Sequence, residues 1–130
     1  MKHGLLIERR KIIVVAQIKG INDVRNFTFI LDTGTSKSIL SEKAAIRLGF
    51  DLKRLKTGDR LMTAGGGMYS KILKLPKFSL FGKDIVNFEV SVLNLPPQIT
   101  YFADGLIGMD FLLQYKNIKF NFDEKTIETY

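Results

Sequence analysis

The residues best equipped for chemistry are Asp32, Thr33, Gly34 and Thr35, in the stretch FTFILDTGTSKSIL from Phe27 to Leu40. A carboxylate in a fixed position is a ready proton donor and acceptor. Its setting matters as much as its type. The apolar run through Phe27, Phe29, Ile30 and Leu31 leads straight into Asp32, so the strand is expected to bury both faces and to deliver the carboxylate from a rigid, water-poor base. A carboxylate there is unfavourable unless it is paired or hydrogen-bonded. The competing reading is a plain turn, because Asp, Thr and Gly all form turns. A second segment, ADGLIGMDFL from Ala103 to Leu112, has a complementary shape: Leu106 and Ile107 lead into Gly108 and a short helix.

The elements that must hold these residues read mostly as strands. Period-two alternation and β-branched residues mark Ile12 to Ile18 and Val24 to Leu31, joined by a turn at Gly20, Asn22 and Asp23. A short helix is expected from Glu42 to Leu48, with Ser41 as its N-cap and Gly49 as a left-handed C-cap. Further strands are expected at Arg60 to Ala64, Met68 to Leu75, Phe78 to Phe81 and Val86 to Leu93. Gly65 to Gly67, Pro76 and a Gly82 to Asp84 turn punctuate them. Pro96 and Pro97 open a loop, Met109 to Gln114 reads as a short helix, and NIKFNF with TIETY reads as a closing hairpin around Asp123 to Lys125. The whole chain, 1–130, is expected to be one all-β domain with one or two short helices.

LDTGTSKSIL followed by DGLIGMDFL resembles the retropepsin-like aspartic proteases, and among them the single-domain bacterial members. The likeness runs from about Ile12 to Tyr130. It implies an acid-protease β-barrel with one lobe per chain. It also implies an aspartic endopeptidase in which Asp32 is one of two carboxylates that share a proton and hold the attacking water. Thr33 matches the position whose hydroxyl crosses to the opposing loop, Gly34 lets the two loops approach, and Thr35 is placed to donate to a carboxylate. Leu106, Ile107 and Gly108 form the structural apolar-apolar-Gly segment, and Asp104 takes a structural place. Gly65, Gly66 and Gly67 resemble the tip of a substrate-covering flap, with Tyr69 close enough to touch a peptide; the competing reading is an ordinary hairpin tip. Two features depart from the retroviral pattern: Thr35 stands where those enzymes usually carry Ala, and the flap glycines are spaced differently. The sequence holds one Asp-Thr-Gly, so the resemblance implies a homodimer that completes the site, acting on a peptide or protein substrate without metal or organic cofactor.

Composition narrows the alternatives. The chain has 130 residues, no cysteine and a single histidine, which leaves no basis for a disulfide framework or a conventional zinc site. Glu8, Arg9, Arg10 and Lys11 interrupt the apolar residues at the N-terminus, so neither a signal core nor a membrane span is expected and the reading is cytoplasmic. A net charge of +7 raises a nucleic-acid-binding domain as a rival. The basic residues are scattered, without interleaved aromatics for base stacking, and no nucleic-acid partner is expected. The other rival is a protease-like fold kept as a silent peptide-binding or dimerisation module.

Overall fold

The computed structural model describes residues 1–63 and 66–130. Its strands are β1 (Lys2–Gly4), β2 (Leu6–Glu8), β3 (Lys11–Lys19), β4 (Val24–Leu31), β5 (Ile39–Ser41), β6 (Lys56–Thr63), β7 (Gly66–Leu80), β8 (Lys83–Leu93), β9 (Gly105–Ile107), β10 (Ile118–Asn121) and β11 (Thr126–Thr129). The helices are α1 (Glu42–Arg47), α2 (Pro97–Thr100) and α3 (Met109–Leu112), with one 3-10 turn at Leu52–Arg54. The fold is therefore mainly β. No helix among the described residues is long and apolar enough to cross a membrane.

Two sheets build it. The larger has the order β2-β3-β4-β9-β5-β8-β7-β6 and is drawn round on itself by an additional β3–β7 pairing; the smaller has the order β1-β11-β10. Most neighbours are antiparallel, but β4 runs parallel to β9 and β5 parallel to β8. That parallel placement brings the chain's first quarter and its C-terminal third side by side, with Phe29, Ile30 and Leu31 against Gly105, Leu106 and Ile107. Alternation along β4 then feeds two separate cores. Phe29 joins the larger core with Phe78, Phe88 and Phe111, while Ile30 joins a smaller one with Ile13, Ile39, Leu93, Leu95 and Leu106. Phe78 packs edge-on against Phe29 and Phe111, at centroid distances of 5.8 and 5.7 Å.

Local signals hold where expected. Ser41 caps α1 through its side-chain oxygen, which accepts from Ala44 N–H at 3.2 Å, and Gly49 follows the helix at φ 93°. The hairpins β3–β4 and β10–β11 form as the alternation requires. Several boundaries differ: β6 begins at Lys56 rather than Arg60 and α3 ends at Leu112 rather than Gln114. Pro76 does not split β7, because it falls between the pairs Leu75↔Phe88 and Lys77↔Val86, opposite Asn87 at φ 56°, and β3 pairs with β7 only from Lys77 onward. No ladder bond is asked of its missing N–H. The following turn is Phe81–Gly82, at φ 51° and 70°, which lets β8 start at Lys83 rather than Val86. The segment after Pro96 holds the short helix α2, with Pro97 at its first turn, where a missing N–H is harmless.

Candidate active site

Asp32 leaves the end of β4 beside the end of β9. Its N–H donates to the Ile107 carbonyl at 2.9 Å, continuing the parallel pairing one residue beyond the strands. Asp32 itself is half-buried, and Oδ1 accepts from the Gly34 N–H at 2.9 Å. The loop thus curls so that its own backbone donor holds the carboxylate. A Cβ at Gly34 would sit 3.1 Å from Asp32 Oδ1, close enough that the carboxylate would have to shift by a few tenths of an ångström. Thr33 is exposed at the tip. The Thr35 hydroxyl donates to the Lys37 carbonyl at 3.3 Å rather than to Asp32, closing a local turn while its backbone carbonyl accepts from Met109 N–H at 2.9 Å.

The floor under this loop is a polar clamp that the sequence did not announce. Ser38 is fully buried. Its N–H donates to Asp110 Oδ2 at 2.9 Å and its hydroxyl to Asp110 Oδ1 at 2.7 Å, while its Oγ accepts from Gly108 N–H at 3.0 Å. Three groups that would be orphaned in a dry interior satisfy one another. The clamp ties the Asp32 loop to Gly108 and the start of α3, and Gly108 is required because a Cβ would come within 2.7 Å of the Thr35 carbonyl oxygen. Leu106 and Ile107 are buried as the strand leading into it. Asp104 does similar work one turn earlier: Oδ2 accepts from Thr28 N–H at 3.0 Å and Oδ1 from Arg47 Nη2 at 2.7 Å. The only sequence signals for these clamps were an acidic residue on either side of the Gly105 to Gly108 segment and a serine following the loop.

Two recesses open beside Asp32. One, of 290 Å³, is walled by Ile39, Leu61, Leu93, Pro96, Ile99 and Leu106, all apolar. The other, of 440 Å³, lies on the Thr33 side and is walled by Leu31, Met109, Leu112, Tyr115, Ile118 and Phe120. Asp32 is the only acidic residue lining either one among the described residues. No cluster of three or more His, Asp or Glu side chains placed to hold a metal occurs among those residues.

The ribbon of β6 and β7 presents Leu61 and Met68, a cross-strand pair, toward the smaller apolar core. Arg60 and Tyr69 are the next pair along, so they point to the opposite face, and Tyr69 is 68% exposed. Gly66 and Gly67 open β7, and a Cβ on Gly67 would run into the Arg60 guanidinium. Gly65 lies outside the described residues.

A carboxylate on a glycine-bearing loop, braced by an apolar-apolar-Gly strand and facing an apolar groove under a hairpin, defines an acid-protease type of architecture. The comparisons agree. A family model described as "Aspartyl protease" matches residues 14–111, and the chain belongs to that family. No curated protein matches the sequence significantly. Among solved structures, a retropepsin-like aspartic protease from Rickettsia conorii aligns with TM-score 0.75 and 23% identity, over 99% of this chain and 89% of that one. The EIAV protease in complex with the inhibitor HBY-793 aligns with TM-score 0.64 and 19% identity, over 82% of this chain and 88% of that one. The retroviral protease-like domain of Ddi1 from Leishmania major gives TM-score 0.57 and 19% identity, covering 90% and 86%. The fold is retropepsin-like.

Proposed function

We propose that the chain is a single-domain aspartic endopeptidase that acts as a homodimer and hydrolyses peptide bonds in extended segments. The observation that carries this reading is the half-complete site: among the described residues, Asp32 is the one acidic residue lining the two mostly apolar recesses beside it. Water activation by carboxylates needs two of them, one ionised to take the water's proton and one protonated to polarise the substrate carbonyl. A second copy related by a two-fold axis supplies the partner Asp32. β10 supports this, because it is an edge strand of its sheet and its Ile118 and Phe120 line the recess next to Asp32 and Thr33.

In that dimer, the ionised Asp32 takes a proton from water as its oxygen attacks the carbonyl carbon. The other Asp32 gives its proton to the carbonyl oxygen, forming a tetrahedral diol. Return of a proton to the leaving nitrogen then breaks the C–N bond. Gly34 N–H donates to the Asp32 carboxylate of the same chain and fixes its orientation. The Thr33 hydroxyls tie the two loops together, and the β6–β7 ribbon with Gly65 to Gly67 closes over the peptide, whose side chains enter the recess lined by Leu61 and Ile99. No metal or cofactor enters these steps, and the cysteine-free chain suits a cytoplasmic setting.

The test is peptide-library cleavage by wild type and Asp32→Asn in parallel. Wild type is expected to cut, and Asp32→Asn to be inactive with an unchanged melting temperature. In mixtures with demonstrated subunit exchange, activity should follow the square of the wild-type fraction. A linear dependence with a monomeric mass at active concentrations would remove the shared-site mechanism, and a wild type that binds peptides without cutting them would favour a silent module.

A further inference from the structure

The tip of the β2–β3 hairpin is Arg9–Arg10, held between the paired residues Glu8 and Lys11. Both arginines have positive φ, 44° and 66°. A two-residue loop with that geometry is a type I′ turn, which strongly favours Asn and Gly and disfavours residues with long side chains. Two arginines there are an unfavourable backbone choice, and their side chains add nothing to the core, since both are exposed. The place they occupy gives the choice a purpose. The last β3–β4 pair toward the site is Ile13↔Ile30, which places the hairpin tip beyond the end of β4 that carries Asp32.

Arg9 and Lys11 line a shallow cavity of 570 Å³ with Pro97, Gln98, Tyr101 and Phe102. Its inner wall is α2, whose neighbouring residues Pro96 and Ile99 line the apolar recess beside Asp32. Shelf and cleft therefore share one wall. Lys11 Nζ lies 4.7 Å from the centroid of the Phe102 ring, and Tyr101 meets that ring edge-on at 5.0 Å while remaining 79% exposed. None of the ion pairs among the described residues includes Arg9, Arg10 or Lys11, whereas Lys2, Arg25, Lys37, Arg47, Arg54 and Lys77 each have an acidic partner. Arg9, Arg10 and Lys11 are three consecutive cations at the hairpin tip, with Glu8 as the cross-strand neighbour of Lys11.

We infer that Arg9 and Lys11, with Arg10 beside them at the turn and the Tyr101–Phe102 edge, form a subsite for an acidic side chain of the substrate, outside the apolar residues that flank the scissile bond. This rests on the peptidase reading and adds its substrate class: an apolar cleavage segment with an acidic residue beyond it. The guanidinium groups offer paired donors to a carboxylate, and the aromatic edge shields the contact from water on one side. In a two-fold dimer one shelf lies at each end of the cleft.

The experiment uses peptides with a fixed apolar cleavage segment and Glu, Gln or Lys moved stepwise through the flanking positions. At one position the wild type should cleave the Glu peptide with kcat/KM about five-fold above the Gln peptide, with the Lys peptide poorer than either, and the difference should shrink with added salt. The variant Arg9→Asn with Arg10→Gly removes two charges while installing the residues a type I′ turn prefers. It should melt higher than wild type, and its Glu-to-Gln ratio should fall toward one. A wild-type ratio of one at every position, or an unchanged ratio in the variant, overturns the inference. Binding of the same fluorescent peptides to the Asp32→Asn protein reads the subsite without turnover, so an acidic preference in binding without cleavage by wild type would count against the peptidase reading and for the shelf. Displacement of the Glu peptide by a single-stranded oligonucleotide at lower concentration than by poly-glutamate would assign the shelf to nucleic acid and overturn the peptide subsite.

Discussion

Replacing Asp110 with Ala removes the acceptor for both donors of Ser38, a residue with no exposed surface. The Ser38 N–H has no alternative partner among the described residues, and an unsatisfied buried donor costs about 1–3 kcal/mol. The Ser38 hydroxyl loses its acceptor too, although rotation recovers part of that loss, for about 1 kcal/mol more. Phe111 N–H is protected, since it also donates to the Gly108 carbonyl at 3.2 Å. Asp110 is half-exposed, so water partly replaces the carboxylate, and the total should fall at the low end of that sum, about 2 kcal/mol. That is a large share of the roughly 5–15 kcal/mol that holds a domain together. Urea unfolding followed by circular dichroism should show the midpoint falling by about 1–2 M at an unchanged slope. Ser38→Ala should be destabilising as well, because Gly108 N–H loses its acceptor, and the double variant should fall short of the sum by about 1 kcal/mol since the shared bond is lost only once. Asp123→Ala, on the exposed β10–β11 turn, is the control. An Asp110→Ala protein within 0.5 kcal/mol of wild type, with unchanged peptide cleavage, would refute the claim that this clamp braces the Asp32 loop.

Gly105→Ala should destabilise by about 3 kcal/mol or prevent folding, because its Cβ would be driven into the Ile39 carbonyl and the Phe29 ring; thermal melts of the variant beside Gly4→Ala, which meets nothing, read the difference. Gly66→Val should lower peptide turnover at least ten-fold with a melting temperature close to wild type if the ribbon tip moves over substrate, whereas equal losses in both would mark a plain hairpin. Burial chiefly, and the N-terminal positive charge secondarily, hold the His3 pKa below its ordinary 6.5. The unfolded chain therefore binds the proton more readily, so stability should be level above pH 6.5 and fall as the pH drops from there toward the folded value. Melting temperatures between pH 5 and 8 should show a smaller slope in His3→Gln than in wild type.

The sequence by itself determined the parts whose causes are local. The apolar run into Asp32, the Ser41 cap with Gly49 behind it, and the alternation of β3, β4, β10 and β11 were all legible because each depends on residues a few positions apart. The one Asp-Thr-Gly and the later Leu106-Ile107-Gly108 were legible as a pair of motifs, and the parallel β4–β9 pairing is what unites them. Tertiary structure alone decided the rest. Ser38 and Asp110 are separated by 72 positions, and nothing near either residue says that one buries its donors on the other. Pro76 reads as a strand breaker until its neighbours leave its nitrogen unasked for a bond. Tyr69, close to the ribbon tip in sequence, faces outward, while Met68 faces the smaller core, because the side of β6–β7 that folds over Ile30 and Leu106 is set by how the large sheet closes on itself. Local propensity acts over one turn or one strand pair, whereas which buried donor meets which acceptor is settled only when distant segments compete for the same dry interior.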